Sequence, residues 1–120
     1  MSNSASQANA FYEQVATSGS VWTIRDSGGY PAPLNSDGIR AMPFWSSLSR
    51  AELIIKNVAA YKGFYPIEIS WQDFKSKWVP GLEKDGELVG VNWSGDRAKG
   101  YDLSPATVVQ NIEAFVRSGL

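Results

Sequence analysis

Residues 84–94, Lys-Asp-Gly-Glu-Leu-Val-Gly-Val-Asn-Trp-Ser, decide how this chain folds. The turn signal Asp85-Gly86 is followed by Glu87-Leu88-Val89-Gly90-Val91, an almost unbroken apolar run. A short run of this kind, without polar alternation, is typical of a strand that is covered on both faces. We therefore expect residues 87–91 to form the central strand of a sheet.

Apolar residues at helical spacing predict four helices around this strand. They run from about residue 6 to 17, from Ser49 to near Gly63, from Trp71 to about Val79, and from Ser104 towards Gly119. Ser49 and Glu52 fit a capping box, and Pro80-Gly81 is expected to end the third helix. Ser104-Pro105 places a capping residue and then proline at the first helical position.

Short apolar runs between turn residues predict the other strands, at 21–25, at 39–45 with an interruption at Pro43, and at 65–69. The segment 30–34 carries two prolines and is expected to be an edge strand or an extended loop. Tight turns near its two ends favour antiparallel neighbours over a doubly wound parallel sheet. The predicted fold is therefore a single α+β domain: an antiparallel or mixed sheet of about five strands, with four helices packed on it.

The composition removes several chemistries before any motif is considered. The 120 residues include no cysteine and no histidine, so disulfides, thiolate nucleophiles, histidine metal ligands and imidazole bases are excluded. Eleven basic and twelve acidic residues give a net charge of −1 without a basic run. Nucleic acid is therefore an unexpected partner. We expect no catalytic residues, no metal site and no cofactor.

The chain is expected to form one domain over residues 1–120, with a flexible tail at 1–6. The first ten residues have neither a basic cluster nor an apolar run, which is unlike a signal peptide. No stretch reaches the length of a membrane span. The expectation is a cytoplasmic protein that does not enter a membrane.

Gly90 and Gly95 follow a predicted strand at the spacing of a phosphate-binding loop, but the motif is incomplete. A phosphate loop continues with Lys and then Ser or Thr, which neutralise the phosphate and hold magnesium. Here Asp96 and Arg97 follow, and the carboxylate would repel a phosphate. The two glycines are therefore assigned to close packing and to a turn.

The five tryptophans divide into two groups. Trp45 and Trp93 stand where strands run into turns, beside hydrogen-bonding residues, which suits recognition of a protein or a sugar. The preferred alternative is that Trp93 extends the core, because it shares strand parity with Val89 and Val91. The other three lie on apolar stripes and are expected in the core: Trp22, Trp71 and Trp78. The candidate binding residues are Trp45, Asn92, Trp93, Asp96 and Arg97.

Two distinctive blocks flank the Asp85-Gly86 turn: Trp78-Val79-Pro80-Gly81-Leu82 and Leu88-Val89-Gly90-Val91-Asn92-Trp93. Three shorter blocks precede them: Val21-Trp22, Ser36-Asp37-Gly38 and Pro43-Phe44-Trp45-Ser46. Together they resemble a bacterial family known as domain of unknown function 2750, over about residues 11–116. The resemblance implies a small stand-alone bacterial protein with no assigned activity, and it transfers no catalytic residue.

The first functional hypothesis is a binding module without catalysis. It would meet a protein partner, or a second copy of itself, through the region of Trp45 and Trp93 and through the segment 30–34. Two features support this hypothesis. The chain lacks the side chains of common catalytic sites, and the predicted edge segment and aromatic residues offer a surface for binding. A nucleic-acid partner is ranked last, because scattered Lys and Arg residues would have to gather on one face.

The alternative is a small-ligand or carbohydrate site, in which Trp93 stacks on the ligand and Asn92, Asp96 and Arg97 supply polar contacts. Such a site would be hydrolytic if two carboxylates met in the fold. The candidates for that pair are Glu68, Asp73, Glu83, Asp85, Glu87, Asp96 and Asp102.

Overall fold

The computed structural model describes residues 4–119 and shows, over that range, five strands and four helical regions. In chain order the elements are α1 (Ser4–Ser18), β1 (Ser20–Arg25), β2 (Ala41–Phe44), α2 (Leu48–Asn57), β3 (Tyr65–Ser70), α3 (Trp71–Asp73), α4 (Val79–Lys84), β4 (Leu88–Ser94), β5 (Lys99–Leu103) and α5 (Pro105–Arg117). A 3-10 turn follows α2 at Ala59–Tyr61, and a π-helical turn at Phe74–Trp78 joins α3 to α4. The predicted α+β fold with a mixed sheet and four helices is confirmed.

β4 is the central strand of a sheet with the order β2-β4-β5, as predicted. β2 runs parallel to β4 and β5 runs antiparallel to it. β1 and β3 form a separate antiparallel pair. The two sheets meet where Trp22 and Trp45 exchange both backbone hydrogen bonds, at 2.8 and 2.7 Å.

Pro43 explains why the two sheets meet at one pair. Backbone groups two residues apart face the same neighbouring strand, so Pro43 faces β1 as Trp45 does. Proline has no N–H to donate to a ladder, and the Pro43 carbonyl accepts a hydrogen bond from the Thr23 hydroxyl at 2.9 Å instead. The predicted interruption at Pro43 therefore interrupts the pairing with β1, while β2 itself continues to Phe44.

Two clusters of buried side chains cover the two faces of β4. On one face α1 and α5 pack together, and Phe11 belongs to the same buried cluster as Val89 and Val91. On the other face α2 covers a cluster that contains Trp45 and Trp93. The five inner residues of β4 are all buried, which confirms the expectation of a strand covered on both sides.

A bulge at Asn92 moves Trp93 to the face opposite the predicted one. Asn92 has a φ of 50°, and the pairing of β4 with β5 shifts register around it. An extra residue reverses the alternation of the strand beyond it, so Trp93 packs with Trp45 and not with Val89 and Val91. The prediction that Trp93 is buried is confirmed. The prediction that it lies on the same face of β4 as Val89 and Val91 is wrong.

Burial of the tryptophans separates the two interpretations that the sequence left open. Trp45 is 0% exposed and Trp93 is 7% exposed, so the preferred interpretation of Trp93 as a core residue is confirmed, and the alternative of two exposed aromatic rings is wrong. Trp22, Trp71 and Trp78 were expected in the core but are only half-buried. Each packs as a partly buried side chain against a core cluster rather than inside it.

The N-cap of α2 is Ser47 and not Ser49. Ser47 has extended backbone angles, and its hydroxyl accepts a hydrogen bond from the Arg50 N–H at 3.3 Å. Ser49 lies within the helix, so the predicted capping box with Glu52 is wrong. The helix also ends earlier than expected, and the 3-10 turn occupies part of the stretch before Gly63.

The helical region continues through Pro80-Gly81, where it was expected to end. In the π-helical turn the Val79 N–H donates to the Phe74 carbonyl, five residues back. This arrangement leaves Pro80 in the first turn of α4, where a missing N–H costs no hydrogen bond. The region therefore extends to Lys84.

The segment 30–34 is an extended loop, one of the two predicted forms, with a single bridge from Leu34 to Arg40. At the start of the chain, α1 includes residues 4–6 of the predicted tail, and residues 1–3 lie outside the described range. Over residues 4–119 no helix has the length and apolarity needed to cross a bilayer.

Candidate functional site

A cleft of about 560 Å³ opens between the loop 33–36 and the turn that joins β4 to β5. This volume falls within the range of about 300–1,000 Å³ that is common for small-molecule sites. Trp93 and Tyr61 contribute aromatic surface. The polar and charged side chains of the lining are Asn35, Ser36, Arg97, Lys99 and Asp102.

Asp102 fixes the position of Trp93 in the cleft wall. The Trp93 indole N–H donates to Asp102 Oδ1 at 2.9 Å. The Asn35 side-chain amide donates to Asp102 Oδ2 at 3.4 Å. Each carboxylate oxygen therefore accepts one hydrogen bond, and Asp102 links the two walls of the cleft.

Two glycines make room for the Trp93 ring. A Cβ atom on Gly90 would lie within 2.5 Å of the indole, and one on Gly100 would lie 2.7 Å from its Cδ1 atom. Real Cβ atoms do not approach other atoms so closely, so any other residue at these positions would displace the ring. The assignment of Gly90 to close packing is confirmed, and Gly95, with φ of 82°, serves the turn.

Asn35 shapes the opposite wall. Its side-chain oxygen accepts hydrogen bonds from the N–H groups of Asp37 and Ile39, at 2.9 and 3.0 Å. Its own N–H donates to the Ile39 carbonyl at 2.8 Å. These bonds close the predicted turn at 35–38 and hold the loop in one shape beside β5.

The lining of the cleft carries two positive charges, on Arg97 and Lys99, and one negative charge, on Asp102. Arg97 and Lys99 are exposed at its rim, and among the described residues neither forms an ion pair. Burial raises the pKa of the Tyr61 phenol above its usual value of 10.0, so this group remains a neutral hydroxyl at physiological pH. The cleft therefore offers two unpaired cations and several neutral hydrogen-bonding groups.

The predicted binding residues separate into two sets in the fold. Trp93 and Arg97 line the cleft together, and Asp96 is exposed on the same turn but is not part of the lining. Trp45 and Asn92 lie behind the cleft in the protein interior. Trp45 supports the site indirectly, since its indole N–H donates to the Trp93 carbonyl at 2.9 Å.

Asn92, 1% exposed, is the centre of a buried hydrogen-bond network. Its side-chain oxygen accepts from the Ser46 N–H at 2.9 Å. Its amide donates to the Gln7 carbonyl at 3.1 Å and to the Ser46 hydroxyl at 3.0 Å. The Ser46 hydroxyl also donates to the Gln14 side chain. Asn92 thus joins α1 to the start of α2 and is fully engaged in structure.

The described residues do not assemble a pair of free carboxylates in the cleft. Asp102 is the one acidic residue of its lining, and both of its oxygens accept hydrogen bonds. Asp85 and Glu87 share a separate, smaller cavity. Within residues 4–119 no three acidic side chains come together as metal ligands would.

The cleft also contains residues that were not among the predicted binding residues: Asn35, Tyr61, Lys99 and Asp102. Asp102 was named only as one of seven candidates for a hydrolytic pair. Asn35 was recognised as a turn residue. Its hydrogen bond to Asp102 could not be predicted, because the two residues are 67 positions apart in the sequence. Asp102 carried no signal beyond its charge. Its pairing with Trp93 depends on the bulge at Asn92, which no local pattern indicates.

Comparison with known families gives one result for nearly the whole chain. The sequence model of the family described as "Protein of unknown function (DUF2750)" matches residues 8–112. This match confirms the resemblance seen in the two blocks around the Asp85-Gly86 turn. No curated protein matches the sequence. The chain therefore belongs to the DUF2750 family of proteins of unknown function.

Proposed function

We propose that this protein is a binding module whose cleft beside Trp93 takes a small anionic ligand. The observation that carries the proposal is the presence of two unpaired cations, Arg97 and Lys99, at the rim of a cleft of about 560 Å³. Arginine and lysine are the usual partners of carboxylate and phosphate groups. Ligand charge would be neutralised at the rim.

The rest of the cleft favours a small ligand with an apolar portion. Tyr61 and Trp93, which are 8% and 7% exposed, contribute small aromatic areas to the lining, while Ser36 supplies a hydroxyl. The wall is preorganised, because Trp93 is held by Asp102 and has no space to move past Gly90. A preorganised wall reduces the entropy that binding must overcome.

The geometry supports binding over the stacking and hydrolytic versions of the small-ligand hypothesis. With 7% of its surface exposed, Trp93 forms a wall and offers no open ring face to a sugar. Asp102 is the carboxylate of the cleft, and it accepts hydrogen bonds from Trp93 and Asn35. Hydrolysis would require a second carboxylate beside it.

A thermal-shift and calorimetry screen of small anions tests the proposal. Inorganic phosphate, citrate and nucleoside monophosphates are suitable probes at fixed ionic strength. A ligand present at about 100 times its Kd stabilises the folded protein by about 2.7 kcal/mol. We expect at least one probe to stabilise the wild-type protein, and Arg97→Ala and Lys99→Ala each to weaken its binding about tenfold.

Lys84→Ala and Arg117→Ala are matched controls, because each removes a positive charge that is not part of the lining of the cleft. They should bind the probe as the wild type does. Equal losses in the control and cleft variants would indicate general charge attraction and contradict a site at the rim. Absence of stabilisation by every probe would also contradict the proposal.

A second candidate function is self-association through the loop that borders the cleft. Leu34 is 60% exposed and Ile39 is 41% exposed, and the Asn35–Ile39 hydrogen bonds hold them on one rigid loop. Exposed apolar side chains on a rigid loop suit an interface. Light scattering should then give a mass above 13.1 kDa that Leu34→Ser reduces to the monomer value. A wild-type monomer at high concentration would contradict this candidate.

A further inference from the structure

A second cavity, of about 270 Å³, lies on another part of the molecule beside the π-helical turn. Its apolar lining comes from Met42, Trp78 and Leu82. Its charged lining comes from Lys77, Asp85 and Glu87. Two carboxylates against one ammonium give this lining a net negative charge, the opposite of the cleft beside Trp93.

Glu87 presents the unusual feature of this cavity. Its backbone is fixed where α4 turns into β4, since its N–H donates to the Leu82 carbonyl at 2.9 Å. Its side-chain atom Oε1 is buried and has no hydrogen-bond partner among the described residues. A buried carboxylate oxygen without a donor is costly. Because Oε1 has less than 1 Å² of accessible surface, the carboxylate must rotate to present this oxygen to a ligand in the cavity.

The cation of the lining, Lys77, contacts a carboxylate outside the cavity. Lys77 Nζ lies 3.6 Å from Asp73 Oδ1, in an exposed pair on the helical region. Trp78 is held in place by edge-to-face contacts, with its ring centre 5.0 Å from that of Tyr30 and 5.9 Å from that of Phe44. The cavity thus combines a fixed indole ring with a carboxylate, one oxygen of which is buried without a donor.

We propose that this cavity binds a guanidinium group, with Glu87 as its acceptor and Trp78 as its aromatic neighbour. A guanidinium donates through parallel N–H groups to a carboxylate and packs against an indole, so it complements both features at once. Met42 and Leu82 provide apolar contact for the attached chain. Asp85, exposed at the rim, adds attraction for the positive charge.

The same group occurs in free agmatine and in arginine side chains of proteins, and two probes distinguish these sources. Agmatine and N-acetyl-arginine amide are titrated at millimolar concentration into the ¹⁵N-labelled full-length chain, with butylamine as a probe that has an ammonium in place of the guanidinium. We expect saturable shifts at the Trp78 indole N–H and at the Gly81 and Glu87 amides. Tighter agmatine binding indicates a free ligand, and tighter binding of the amide indicates a peptide.

Glu87→Gln should weaken binding of the better probe at least about tenfold, because a charged hydrogen bond is lost. Asp85→Asn should weaken it less and keeps the test valid if Glu87→Gln fails to fold. Glu83→Gln is the matched control on an exposed α4 residue outside the cavity, and it should bind normally.

Three results of the binding experiments would overturn the proposal. They are the absence of saturable shifts with either guanidinium probe, binding of butylamine as tight as that of agmatine, and equal weakening by Glu83→Gln and Glu87→Gln. A double-mutant cycle of Lys77→Met with Glu87→Gln, measured as free energies of unfolding without ligand, tests whether Lys77 interacts with Glu87. Strong coupling would show that Lys77 itself satisfies Glu87 in solution, which also contradicts a vacant acceptor.

Discussion

Asn92→Ala is expected to lower the free energy of unfolding by about 3–5 kcal/mol, measured by urea denaturation. The substitution removes both hydrogen bonds that the side-chain amide donates, to Gln7 and to Ser46. It also leaves the buried Ser46 N–H without its acceptor. Alanine in addition resists the left-handed backbone that Asn92 adopts, with φ of 50°.

Asn92→Gly separates the two causes, because glycine accepts a positive φ without strain and equally lacks the side-chain hydrogen bonds. We expect the glycine variant to be about 1 kcal/mol more stable than the alanine variant. Asn57→Ala, at the exposed end of α2, is the control and should change stability by about 0.5 kcal/mol or less. An Asn92→Ala protein as stable as this control would refute the role of the network.

Gly90→Ala is expected to destabilise the protein by about 3 kcal/mol, the upper part of the range for overpacked cores. The new Cβ atom would lie within 2.5 Å of the Trp93 indole, and the backbone of a central strand gives little room for adjustment. Trp93 must then leave its place, which breaks its hydrogen bond to Asp102. The variant should therefore also lose affinity for any ligand of the cleft.

Gly81→Ala is the matched control for Gly90→Ala. Gly81 lies in α4 with nothing within 4 Å of the position of a Cβ atom, so alanine there should leave the protein equally or more stable. Combining Gly90→Ala with Trp93→Leu should cost less than the sum of the two single changes, because the clash disappears. Additive losses would contradict steric conflict between Gly90 and Trp93.

The strands and helices could be predicted because their signals are local. The apolar run at 87–91 indicated a central strand, and it is the central strand of its sheet. The Ser104-Pro105 cap was also correct, with the Ser104 hydroxyl accepting from the Thr107 N–H. The π-helical turn before Pro80 was not predictable, because a proline ordinarily marks the end of a helix and the shifted hydrogen bonds depend on the surrounding packing.

The candidate site was predicted only in part, because one extra residue in β4 placed Trp93 on the other face of the strand. The bulge at Asn92 exchanges the faces of β4, so counting alternate positions placed Trp93 beside Val89. Trp93 and Arg97 were nevertheless selected, since both stand near the turn after β4. Asp102 was beyond reach of the sequence pattern, because its contact with Asn35 joins distant parts of the chain.

The most direct test of the binding proposal is to follow the Trp93 indole N–H by NMR while an anion is added. This proton is bonded to Asp102 in the wall of the cleft, and Trp78, in the other cavity, provides an internal reference. At constant ionic strength, we expect the anion selected by the thermal screen to shift the Trp93 signal saturably, together with the Arg97 and Lys99 amides, and to leave Trp78 unchanged. Uniform small shifts across the protein, or an unmoved Trp93 signal, would contradict an anion site in this cleft.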